Sequence, residues 1–137
     1  QHAAARLHAA GRRNGLVLID NGKLFLQDRV PEGALAAVHV YFPDPWPKKR
    51  HKDRRLINPE FAGILFSRLK AGGAVIAATD SQDYAPEIEG AFVSAGFGSD
   101  SGDLSDIDKT SYALKAIKEE RPLRIYRFVK GNVSLPD

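Results

Sequence analysis

A chain of 137 residues that is 43% hydrophobic and 27% charged is long enough for one domain with a core, and too apolar to be disordered throughout. It has no cysteine, which excludes disulfides and thiolate metal sites, and no apolar run near the roughly 20 residues that span a bilayer, so the expected compartment is the cytoplasm. The net charge is only +3, but six of the 20 Lys and Arg residues fall within residues 48–55, and such a cluster attracts a polyanion by releasing its counterions.

Residues 2–13 are Ala-rich and basic, the tail of a helix that stops at Gly11 and the Asn14-Gly15 pair. Leu16-Val17-Leu18-Ile19 is a continuous apolar run, the pattern of a strand buried on both faces, closed by turn chemistry at Asp20-Asn21-Gly22. A surface turn at Pro31-Glu32-Gly33 precedes a second buried strand over residues 36–42. That strand runs into Pro43-Asp44-Pro45-Trp46-Pro47, where three prolines in five residues exclude helix and central strand and leave a stiff loop.

Asn58-Pro59-Glu60 is a helix start: a cap, a proline in the first turn and an acid near the positive end of the dipole. Phe61, Ile64, Leu65 and Leu69 give that helix one apolar face, and Ala71-Gly72-Gly73 ends it. A third buried strand covers residues 74–79 and stops at Asp80. A second helix covers 83–95 with Pro86 in its first turn. Residues 98–108 read as a polar surface loop, and 123–129 as a final strand. The alternation predicts an α/β fold with a parallel sheet and right-handed crossovers, and such sheets bind ligands beyond the carboxyl ends of their strands. Asp20, Asp44 and Asp80 all fall at such ends.

The densest chemistry lies in Phe42-Pro43-Asp44-Pro45-Trp46-Pro47-Lys48-Lys49-Arg50-His51 and its continuation to Arg54-Arg55. A carboxylate between two prolines has little loop entropy left to lose. Trp46 offers a flat face for a base and the cations beside it offer phosphate contacts, so acid, aromatic and basic run together suit a nucleic acid. Taken alone, Pro-Asp-Pro is equally a rigid turn and a basic run equally a solvated face. The whole pattern, followed by Leu56-Ile57 and Asn58-Pro59-Glu60-Phe61, resembles the signature of the tRNA (guanine-N7)-methyltransferase family. Leu69-Lys70-Ala71-Gly72-Gly73, Ala78-Thr79-Asp80 and Tyr84-Ala85 match the same family in order and spacing. The likeness runs over about residues 16–97.

The resemblance implies a Rossmann-like class I methyltransferase sheet, S-adenosylmethionine as cofactor and tRNA as partner. It implies that Asp44 is the active-site acid and lies near the cofactor, that Lys48 and Asp80 contact the guanosine, and that Arg50, His51, Lys52, Arg54 and Arg55 belong to a segment that interacts with tRNA. Asn21 corresponds to a position near the cofactor's adenosine, although Asp20-Asn21 reads equally as a plain Asx-type turn. Thr110-Ser111-Tyr112-Ala113 resembles a late motif in which Thr and a following Glu hold the guanine; Thr110 and Tyr112 are kept, and Ala113 stands where the Glu is expected.

The family opens with a strand, a glycine-rich loop and a second strand ending in an acid for the ribose. The chain begins at Gln1, has no Met and contains no such loop, so it reads as one partial methyltransferase domain over 1–137, with an incomplete sheet lacking those N-terminal strands. An incomplete sheet is expected to rearrange or to pair its open edge with a second copy, giving a homodimer at high concentration. Two rival readings remain: a methyltransferase acting on exocyclic amines, whose Asp-Pro-Pro-Tyr loop Asp44-Pro45-Trp46 resembles, and a non-catalytic RNA-binding remnant or partner subunit.

Overall fold

The computed structural model describes residues 5–6, 9–11, 13–100 and 111–131. Four strands, β1 (Leu35–Tyr41), β2 (Leu69–Thr79), β3 (Gly98–Asp100) and β4 (Arg124–Val129), form one mixed sheet in the order β1-β2-β4-β3. β1 and β2 are parallel, and β4 is antiparallel to both β2 and β3. Around them lie helices α1 (Gly22–Arg29), α2 (Pro59–Arg68), α3 (Ala85–Ala95) and α4 (Ser111–Lys118), and a 3-10 helix over Lys49–Arg54.

Alternation along each strand sorts its side chains between two faces. Val38, Val40, Val75, Ala77, Tyr126 and Phe128 meet Leu26 of α1, Phe61 and Leu65 of α2, and Ile88 and Phe92 of α3 in the main core. Phe92 stacks on Phe128 with ring centroids 4.5 Å apart, and Phe97 meets Phe92 and Phe66 edge-on. On the opposite face Ala74, Ile76 and Ala78 pack with Phe42, Ile125 and Val129.

Asn58 caps α2 as its sequence predicts: the side-chain oxygen accepts the Phe61 N–H at 2.9 Å, and Pro59 occupies the first turn. The helix nevertheless ends at Arg68, before the expected glycines, and residues 69–73 already belong to β2. The Lys130 ammonium explains the early stop. It donates to the Phe66 and Leu69 carbonyls at 2.7 and 2.9 Å, satisfying helix-end acceptors, while the Lys130 carbonyl accepts the Gly72 N–H. Gly73 is required at this crossing, because a Cβ there would lie 2.9 Å from the Lys70 carbonyl oxygen and 3.0 Å from that of Ala36.

Strands appear where 36–42 and 74–79 predict them, parallel to each other, and β4 where 123–129 does. Three expectations are corrected. The run 16–19 joins no strand of the sheet; Leu16 is 82% and Ile19 87% exposed, since an apolar run becomes a buried strand only where neighbours cover it. Asp20-Asn21-Gly22 is the start of α1, where the Asn21 side-chain oxygen accepts the Leu24 N–H at 3.1 Å. The polar segment from Gly98 begins with β3, held by pairing to β4. The sheet is therefore mixed, and β1, paired on one edge only among the described residues, is half-exposed.

Tyr84, just before α3, is fully buried, and its hydroxyl accepts the N–H of the equally buried Ile57 at 2.7 Å. Burial pushes its pKa from 10.0 up to about 12, against a smaller opposing pull from the Ile57 hydrogen bond. Tyr84→Phe leaves the Ile57 N–H without its partner and is expected to cost about 1–3 kcal/mol in urea unfolding at neutral pH. A raised acidic pKa gives stability that is complete below pH 10.0 and lost as pH rises toward about 12. The wild type should lose stability across that window and the Phe variant should lose less of it; parallel alkaline limbs would exclude Tyr84 as the titrating group.

Candidate active site and nucleic-acid interface

The ladder between β1 and β2 ends at Tyr41↔Ala78, and the Phe42 N–H extends it with a 2.8 Å bond to the Ala78 carbonyl. Because the strands are parallel, the loops carrying Asp44 and Asp80 leave side by side at one edge of the sheet. Asp44 is exposed and makes no ion pair among the described residues; one of its oxygens accepts the Trp46 N–H at 3.4 Å. Phe42 (φ +52°) and Trp46 (φ +41°) bracket it in the left-handed region, at a cost of about 1–3 kcal/mol each that the surroundings must offset.

Asp80 follows Thr79, whose buried hydroxyl accepts the Ser81 N–H at 3.1 Å. The Asp80 carboxylate is largely shielded and ion-paired with Arg121, whose Nε lies 2.9 Å from Glu119. One guanidinium thus spans two carboxylates. The antiparallel return of β4 makes this contact reachable, since its register sets Arg124 opposite Thr79.

The basic run forms the 3-10 helix, begun by a His51 N–H bond to the Lys48 carbonyl at 2.9 Å. Lys48, Lys49 and Arg50 are exposed, and their side chains have no partner among the described residues. Arg54 lies over the Trp46 ring, 5.2 Å from its centroid, and His51 meets the same ring edge-on at 5.7 Å. Lys52 is 3.0 Å from Asp83.

Arg55 departs from its neighbours: the resemblance puts it in the RNA-contacting segment, and its side chain is away from the surface. It is 3% exposed, with its guanidinium turned inward. Nε–H donates to the Pro45 carbonyl at 2.6 Å, Nη1 to Glu87 at 2.5 Å and Nη2 to Asp83 at 2.7 Å, and the group lies over the Tyr84 ring at 4.7 Å. Burial pulls the Arg55 pKa down, and the hydrogen bonds and charges of Asp83 and Glu87 more than offset it, leaving it above its ordinary value. The reciprocal effect, chiefly the Arg55 hydrogen bond and then that of Lys52, holds Asp83 below the ordinary carboxylate value.

Asn21 uses its side-chain oxygen as the α1 cap. Thr110 lies outside the described residues. Tyr112 is in the first turn of α4, with its side chain outside the described set. Sequence reasoning passed over Arg121, Asp83 and Glu87. The last two carried a signal, being acids four residues apart at a helix start, the spacing that puts two side chains on one face.

A family model described as "Putative methyltransferase" matches residues 1–121. Similar proteins include the tRNA (guanine-N(7)-)-methyltransferases of Methylococcus capsulatus, 46% identical over 87 residues (64% of this chain, 38% of that protein), and of Nitrosospira multiformis, 57% identical over 63 residues (46% and 28%). The chain matches well under half the length of these relatives. Among solved structures, the [4+2]-cyclase SpnF aligns with a TM-score of 0.56 at 14% identity, covering 95% of this chain and 61% of that one. An S-adenosylmethionine-dependent methyltransferase from Mesorhizobium loti gives 0.53 at 11%, covering 94% and 76%. These two likenesses are of fold, the Rossmann-like α/β sheet. With a family model matching across most of its length, the chain belongs to the family described as putative methyltransferases, and the relatives it matches at 43–57% identity carry the name tRNA (guanine-N(7)-)-methyltransferase.

Proposed function

We propose that the protein carrying this chain transfers a methyl group from S-adenosylmethionine to N7 of a guanine in tRNA. The observation that carries this reading is the placement of Asp44 and Asp80 at the carboxyl ends of adjacent parallel strands, beside a basic 3-10 helix with Trp46 on its flank. An exposed carboxylate with no ion pair among the described residues, in a stiff loop, suits the cationic centre of the cofactor, so the residues present fit it. The cofactor supplies a methyl group activated on a sulfonium.

Guanine N7 has an in-plane lone pair and no proton, so the reaction needs no general base. The residues' work is alignment and charge. Asp44 faces the positive charge that grows on the purine. Asp80 accepts from guanine's N1–H and amino group, with Lys48 beside the substrate. Thr110 and Tyr112 stay assigned to the substrate side by resemblance. Arg50, His51, Lys52 and Arg54 take the RNA backbone, and Arg55 is withdrawn from that set. Asn21 is kept near the adenosine through its backbone, because its side chain is engaged as a cap. Residues 1–137 act as one part of a methyltransferase domain. No helix among the described residues is long and apolar enough to cross a membrane. The reading places the protein in the cytoplasm, with the open edge of β1 available to a second copy.

The test is methylation of tRNA by the gene product that carries this chain, with the modified base mapped. 7-Methylguanosine supports the reading, an N6- or N4-methylated base moves the protein to the exocyclic-amine class, and RNA binding without any transfer identifies a non-catalytic partner.

Asp44→Ala is expected to abolish transfer while leaving the unfolding free energy within about 0.5 kcal/mol of wild type, because the side chain is exposed. Near-normal turnover removes Asp44 from the reaction. Replacing Arg50, Lys52 and Arg54 together with Ala should weaken tRNA binding and lower the slope of log affinity against log salt by roughly 2–3, about 0.9 for each lost phosphate contact. A wild-type slope in that variant makes the run a solvated surface.

A further inference from the structure

Arg55 stands where the two carboxylate-bearing loops meet. Its Nε–H holds the carbonyl of Pro45, the residue after Asp44, and its other nitrogens hold Asp83 and Glu87, three and seven residues beyond Asp80. The side chain is buried, and the Tyr84 ring beneath it fixes the plane of the guanidinium. The two left-handed residues around Asp44, Phe42 and Trp46, are not glycines, so an unanchored loop would relax toward the extended region. Two rigid donors aimed at carboxylates and a third at a carbonyl require a planar fork; an ammonium cannot reproduce that arrangement.

We infer that Arg55 is the positioning residue for Asp44: its guanidinium fastens the loop 43–47 to the start of α3, so that one side chain sets the relation between Asp44 and Asp80. This rests on the reading of Asp44 and Asp80 as partners at one site. It differs from a phosphate contact, which needs an exposed cation, and from generic core packing, because the two acids it holds are exposed at the surface. Lys52 shares Asp83 from the RNA-facing side, so the same acid links the basic helix to the anchor.

Trp46 is the chain's only tryptophan and lies one residue beyond the anchored carbonyl, so its emission reports loop order without RNA or cofactor. Acrylamide quenching of Trp46 should rise roughly twofold in Arg55→Met, and in the double variant Asp83→Asn with Glu87→Gln, at temperatures well below unfolding and with an unchanged far-UV spectrum. Arg55→Lys should fall between. Affinity for tRNA should drop in Arg55→Met while the salt slope stays at its wild-type value, whereas a phosphate-contacting arginine loses about one unit of slope. Unchanged quenching, or a slope lower by about one, overturns the proposal and returns Arg55 to the RNA-contacting group. If the Arg55 variants unfold, the double acid variant decides, since both its sites are exposed, Asp83 in the turn before α3 and Glu87 on α3. A wild-type chain that does not bind tRNA would sink the RNA reading and leave the quenching result to decide the anchor.

Discussion

The bond from the Phe42 N–H to the Ala78 carbonyl is the rung that carries the parallel pairing of β1 and β2 past the end of β1. Had these strands run antiparallel, their following loops would open at opposite ends of the sheet, about 20 Å apart for a strand of this length. Parallel pairing brings Asp44 and Asp80 to one edge. β4, antiparallel to β2, brings its entry to that same edge, which is why Arg121 can reach Asp80 from 41 residues away. Three segments distant in sequence converge through two ladder directions, and no loop has to be long.

The charge of the chain divides by task rather than by position. Arg68 donates to the Leu26 and Gln27 carbonyls at the end of α1, and Lys130 closes the end of α2 in the same way. Lys23 ties α1 to Glu60 of α2 at 3.0 Å. Arg55 lies inside the basic run and belongs to this structural class, while the side chains of Lys48, Lys49 and Arg50 are exposed and unpaired among the described residues. A count of cations therefore overstates the footprint offered to a polyanion. A long side chain finds helix-end carbonyls as readily as phosphate, because both present unsatisfied acceptors.

Much of the fold was legible because local chemistry and burial agreed. The apolar part of β2, residues 74–79, is a run bounded by Gly72-Gly73 and Asp80, and α2 and α3 carry proline in their first turns. The illegible parts are those decided by partners. α1 buries only Leu26, so it lacks an apolar stripe and is held by its Asn21 cap and by Arg68 from α2. β3 is three residues long and exists through its pairing with β4. The run 16–19 has the composition of a buried strand and none of the cover. In the candidate site, the acids at the strand ends were readable from the stops they make. The inward turn of Arg55 was not, since it depends on Asp83 and Glu87, about 30 residues away.

The two acids at the sheet edge are electrostatically unequal, and the inequality follows from their neighbours. Asp80 is shielded and shares a guanidinium with Glu119, so much of its negative charge is already balanced at short range. Asp44 is exposed, unpaired among the described residues, and touched only by one backbone N–H. A compensated carboxylate keeps lone pairs for hydrogen bonds but adds little field, whereas an uncompensated one contributes its full charge to any cation that excludes water from it. The proposed transfer to N7 asks for both: an acceptor that reads the donor edge of guanine before reaction, and a field that favours the positive purine formed by it. On the proposed reading the first task falls to Asp80 and the second to Asp44, and the second is tied to the loop geometry, because a field acts over a distance that the loop must fix.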